Sequence, residues 1–148
     1  MKRSAVATLA TIATGLLAGL FAGTAHAGID QQMRCFHSDD ATIHFEFRTF
    51  DDSGSDWSGG YVRYKGAKKV IPIVLSTEHA TELVPGRPDE ITRVWVEVVD
   101  GKVTGQYEMD SQGAIVNDMH YTKFSPRRTY HFVDDPQAYA DGNGSCKW

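Results

Sequence analysis

Hydrophobic and polar positions alternate along much of this chain. Ile43, Phe45 and Phe47 alternate with His44, Glu46 and Arg48, the period of two that marks a half-buried strand. Asp51-Asp52-Ser53-Gly54-Ser55-Asp56 is a polar turn. Tyr61 to Tyr64 and Val70 to Leu75 predict two strands around the turn Lys65-Gly66-Ala67-Lys68. Pro72 has no N–H to donate to a ladder, so its strand is expected at an edge or at a bulge. Ser76 to Val84 fits either a short capped helix or a continued strand, and Pro85-Gly86-Arg87-Pro88 is a loop.

The strongest local signal is Asp100-Gly101, a two-residue hairpin turn. Setting Val99 against Lys102 pairs Val98 with Val103, Val96 with Gly105 and Val94 with Tyr107. That register puts Val94, Val96, Val98, Val103 and Tyr107 in the core. It leaves Arg93, Trp95 and Glu97 on the outer face. A second hairpin is expected from Ala114–Phe124 and Thr129–Val133, joined by Ser125-Pro126-Arg127-Arg128. Asp135-Pro136 resembles a helix start, with an Asp cap and Pro at the first position. Any such helix is short, because Asp141-Gly142-Asn143-Gly144 ends it. Short antiparallel strands at this spacing predict an all-β fold, a small antiparallel barrel or sandwich of seven or eight strands with one short helix.

The start of the chain changes the compartment. Met1-Lys2-Arg3 is a basic n-region, Ala5 to Gly23 is apolar, and Ala25-His26-Ala27 is a small-x-small cleavage site. Residues 1–27 are therefore expected to be a secretory signal peptide, and 28–148 a single β domain in the periplasm or outside the cell. Removing Lys2 and Arg3 takes the formal charge from −4 to −6. A net negative domain offers no basic field for nucleic acid or for anionic membranes. In an exported chain the two cysteines, Cys35 and Cys146, are expected to pair.

Candidate chemistry is sparse. Asp118, His120, Thr122 and His131 share one face of the second hairpin, with Asp135 near them, which makes Asp118, His120 and His131 the best metal or catalytic candidates. A solvent-facing sheet surface is where such residues normally sit, so no catalytic residue and no cofactor is assigned. The Asp51–Asp56 segment is oxygen-rich but lacks the spaced carboxylates of a calcium loop. Nucleophile signatures, P-loops and dinucleotide fingerprints are absent from the sequence.

Trp57-Ser58-Gly59-Gly60-Tyr61 leads out of the acidic segment into a strand, with Trp57 expected in a flexible polar loop, and Lys65, Lys68 and Lys69 follow. Aromatic and small residues beside positive charge suit a protein contact. Ser58-Gly59 resembles the start of the Ser-Gly-x-x-Tyr motif of small periplasmic inhibitors of C-type lysozyme. Val62 stands where that motif has its tyrosine, and Tyr61 comes one residue early. The resemblance implies an eight-stranded barrel whose motif serine, Ser58, enters an enzyme cleft with a later lysine, for which Lys65 and Lys68 are the candidates. Size, export and β content also resemble exported immunity proteins against cell-wall-degrading toxins.

The expected function is thus an exported protein-binding module that inhibits a cell-wall hydrolase, with Trp57, Ser58, Tyr61, Lys65 and Lys68 at the contact. Such hydrolases are often cationic, and an acidic partner is steered toward them. The rivals are a periplasmic carrier holding a small ligand in the barrel mouth and a metal-dependent enzyme on the hairpin face.

Overall fold

The computed structural model describes residues 28–140 and 144–148. The expected signal peptide and Asp141 to Asn143 lie outside them. Among the described residues there are eight strands: β1 (Ile29–Ser38), β2 (His44–Asp52), β3 (Trp57–Tyr64), β4 (Ile71–Thr81), β5 (Glu90–Val99), β6 (Lys102–Gln112), β7 (Ile115–Phe124) and β8 (Arg127–Asp134). Each pairs antiparallel with the next, and β8 closes onto β1. The fold is therefore a closed up-and-down barrel rather than a sandwich, the solution that removes sheet edges. The helix expected at Asp135-Pro136 is a single 3₁₀ turn, Pro136–Ala138, capped by the Asp135 side chain. No helix among the described residues is long and apolar enough to cross a membrane.

The interior is filled by side chains. Phe36, Phe45, Phe47, Val62, Trp95, Tyr107 and Met119 are buried. Phe45 packs edge-on against Phe132 at 4.8 Å, and Phe47 against Trp95 at 5.9 Å. Such rings favour edge contacts because their faces are negative and their rims positive. Pro72 sits where β4 pairs with β3 alone, before pairing to β5 begins at Ile73. A bulge follows between Leu75 and Thr77, and Ser76 to Thr81 continues the strand instead of forming a helix.

The β5–β6 hairpin turns at Asp100-Gly101 as expected, both residues having positive φ. Val99 faces Lys102 and Val98 faces Val103. Beyond them the expected register fails. A bulge sets Glu97 against Gly105, Trp95 against Tyr107 and Val94 against Glu108. The extra residue, Thr104, flips β6 relative to β5, so Gly105 and Tyr107 keep their expected inward face but lie opposite Glu97 and Trp95 instead of the valines. Trp95 and Glu97 are buried, whereas Val94, Val96 and Val98 are only half-buried and Val103 is exposed. Of the expected core set, only Tyr107 is buried. Gly105 stays on the inward face in either register. A Cβ there would lie 2.5 Å from the Tyr121 hydroxyl, so only glycine leaves room for that ring inside the barrel.

The β7–β8 loop has two residues, Ser125 and Pro126, not four. Arg127 and Arg128 are exposed strand residues at the barrel end, where charge does not signal a loop. A four-residue loop would set Tyr121 against Phe132 and Thr122 against His131; the shorter loop moves the register by two, so Tyr121 faces Tyr130 and His120 faces His131. A shift of two keeps every side chain on its expected face.

Cys35 and Cys146 form the expected disulfide, 111 residues apart in sequence. It pins the last residues against β1 and β2, where they cover Glu46. That side chain belongs to the outward, polar set of β2 yet is 1 % exposed. Its carboxylate accepts hydrogen bonds from Arg48, Arg63 and the Tyr61 hydroxyl, and weakly from the Cys146 amide. Burial by itself pushes this carboxyl up. The Arg63 and Tyr61 hydrogen bonds and the two arginine charges outweigh it and hold the group below its ordinary value.

Candidate functional site

Trp57 is the first residue of β3, paired with Asp52 on β2, and not part of a flexible loop. Gly59 is two residues on and shares its outward face. A Cβ on Gly59 would lie 2.3 Å from the Trp57 ring, so the six-membered edge of the indole packs against bare backbone. The ring is nevertheless 50 % exposed. It is thus held in place from below and open from above. Phe50 faces Gly59 from β2, and Val74 faces it from β4. Tyr61 and its partner Pro72 extend the same outer strip. Val74 is 40 % exposed, so Trp57, Phe50, Tyr61, Pro72 and Val74 make a continuous apolar face across three strands.

Beside this face, at the barrel mouth, lies a groove of about 310 Å³ bordered by Trp57, Ser58, Leu75 and the carboxylates of Asp30, Asp51, Asp52, Asp56 and Glu78. The Ser58 hydroxyl donates to Asp51, its partner on β2. Asp52 accepts from the Gly54 amide and the Ser55 hydroxyl. The Ser55 hydroxyl first, and the Gly54 amide second, hold the Asp52 carboxyl below its ordinary value. The oxygen-rich turn thus spends part of its acceptor capacity on its own backbone. Glu78 pairs with Arg93. The remaining acidic oxygens give the groove a negative field next to an exposed indole.

The structure brings together only part of the expected contact set. Trp57 and Ser58 share the groove. Tyr61 lies on the apolar strip, with its hydroxyl bonded to Glu46 and Arg48 stacked 5.8 Å from its ring centre. Lys65 and Lys68 are in the turn after β3, at the other end of the strand. At about 3.3 Å per residue, roughly 26 Å separates Lys65 from Trp57. A single small contact at Trp57 therefore does not include these lysines. Phe50, Val74, Asp30 and Glu78 did not stand out in the sequence. Their place depends on the β2–β3–β4 register, which the alternation of β2 and the acidic turn partly encode.

The hairpin candidates do come together. The register gives a cross-strand row Glu108–His120–His131 over β6, β7 and β8, with Asp118 two residues before His120 on the same face. Inside the barrel, buried Glu97 accepts from Tyr121 at 2.8 Å, Thr104 at 2.5 Å and Tyr107 at 3.4 Å. Burial, then the Glu97 hydrogen bond, raises the Tyr121 hydroxyl far above its ordinary value. Comparison with protein-family models, with curated proteins and with solved structures finds no match.

Proposed function

We propose that this chain is an exported protein-binding module whose contact is the Trp57 face and its acidic groove, and that its partner is a cationic cell-wall hydrolase. The observation that carries this reading is the half-exposed indole seated on Gly59. A rigid aromatic that gives up little freedom on binding is the usual anchor of a protein interface. The carboxylates beside it favour an arginine- or lysine-bearing partner, and a domain charge of −6 would speed the encounter. The disulfide agrees with an oxidising compartment. The Ser58-Gly59 resemblance adds C-type lysozyme as the first enzyme to try. The filled barrel core leaves a small-ligand carrier only the barrel mouth as a place for its ligand.

The experiment is a titration of C-type lysozyme, and of a panel of cationic peptidoglycan hydrolases, with the purified chain. Stoichiometric inhibition of one of them is expected, with an association rate that falls as salt is added, because exposed charges are screened beyond about 10 Å at 0.1 M. No binding to any cationic hydrolase, or a salt-independent association, would overturn the reading.

A further inference from the structure

We propose that the outer face of β6, β7 and β8 is a Zn²⁺ site, with Asp118, His120 and His131 as ligands and Glu108 orienting His120. The register places His120 directly opposite His131, and Glu108 directly opposite His120 on the other side. Asp118 precedes His120 by two residues, so its side chain shares that face. The Asp118 carboxylate lies between the two rings, its Oδ2 2.8 Å from Nδ1 of His120 and its Oδ1 3.8 Å from Nδ1 of His131. Ligand atoms around tetrahedral Zn²⁺ lie about 3.3 Å apart, given metal–ligand bonds of about 2.0–2.1 Å. One ligand atom from each of the three residues lies within 4.8 Å of the other two. Small rotations of the exposed His131 ring and the Asp118 carboxylate about the part-buried His120 close the set around one ion.

The second nitrogen of His120 has a matching role. Its Nε2 faces the Glu108 carboxylate at 3.8 Å. When Nδ1 binds a metal, Nε2 carries the proton, and a carboxylate on that side fixes both tautomer and ring orientation. Two imidazole nitrogens select a late first-row cation over Ca²⁺ or Mg²⁺. The carboxylates of Asp118 and Glu108 balance its charge. A depression of about 220 Å³ borders Asp118 and His131, leaving the fourth position to water or a small ligand. This site lies on other strands than the Trp57 face and stands independently of it.

The test is calorimetric titration of the chelator-treated chain with Zn²⁺, with Co²⁺ absorption as a reporter of geometry. One Zn²⁺ per chain and tetrahedral-type Co²⁺ bands are expected. His131→Ala and Asp118→Asn should abolish the one-site isotherm. Glu108→Gln should weaken it by about 10–100-fold, and His79→Ala, an exposed histidine on β4, should leave it unchanged. The His131 side chain is 61 % exposed, so its removal should spare the barrel, as circular dichroism would verify. A native chain without one-site Zn²⁺ binding, or a folded His131→Ala variant that binds as well as native, would overturn the proposal.

Discussion

Replacing Glu97 by alanine should destabilise the barrel far more than replacing its neighbour Val96 by aspartate. Glu97 is 5 % exposed and is the acceptor for three hydroxyls. Two of those donors have alternatives. Tyr107 keeps its 2.9 Å contact with the Tyr64 hydroxyl, and half-buried Thr104 can turn to water. Tyr121 loses its only hydroxyl partner named among these contacts, and an unsatisfied buried donor costs about 1–3 kcal/mol. The cavity left by the truncated side chain adds to this, while the carboxylate's own desolvation cost is relieved. A net loss of roughly 2–4 kcal/mol follows, or about 8–20 °C in Tm for a domain of this size. Val96 points outward and is half-buried, so Val96→Asp should cost only about 1 kcal/mol in strand propensity and packing. Urea unfolding measures both, read as midpoint shifts at constant slope. A Val96→Asp variant several-fold more destabilised than Glu97→Ala would place the β5 side chains one residue out and refute the bulge.

Reducing the Cys35–Cys146 bridge frees a loop spanning 111 residues of sequence separation and should lower unfolding free energy by roughly 4–5 kcal/mol in the chain-entropy picture; denaturation with and without reductant measures it. Glu46 should contribute a pH-dependent part of stability. Its folded value lies below its ordinary one, so the unfolded chain binds more protons in between, and stability rises with pH there. The contribution should be complete above the unfolded value and fade as pH falls through the folded one. Glu46→Gln should remove that dependence in a series of unfolding curves, and an unchanged pH profile in the variant would assign it elsewhere.

Much of the fold was legible because it is local, or, for the two cysteines, because an exported chain leaves them only each other to pair with. The alternation Ile43 to Arg48, the Asp100-Gly101 turn and the pair of cysteines each encode one feature directly. The failures are non-local. Three alternating valines on β5 look like a core face, but Trp95 offers more buried area, and the bulge opposite Glu97 and Val98 that lets it face inward has no signal in the local alternation. Glu46 reads as a surface residue by period. It is buried because the C-terminal segment, distant in sequence, crosses above it. The Trp57 contact was half legible. Its aromatic and small neighbours flagged it, but the acidic turn suggested a flexible loop, whereas Trp57 to Gly60 are paired strand residues. Lys65 and Lys68, near in sequence, are far in space because β3 is extended between them. The metal candidates needed only the face of the second hairpin, and an even register error leaves that face intact.

The most direct test of the proposed binding account is Trp57→Ala, measured for both stability and affinity against whichever hydrolase the titration shows to bind the chain. The indole lies on the outer face and is 50 % exposed, so Tm should move by only a few degrees, equivalent to about 1 kcal/mol or less. Affinity should fall by about 2 kcal/mol or more, roughly thirtyfold, as truncation of an interface anchor gives. A variant that binds as tightly as the native chain, or one that unfolds because the indole is structural, would contradict the account.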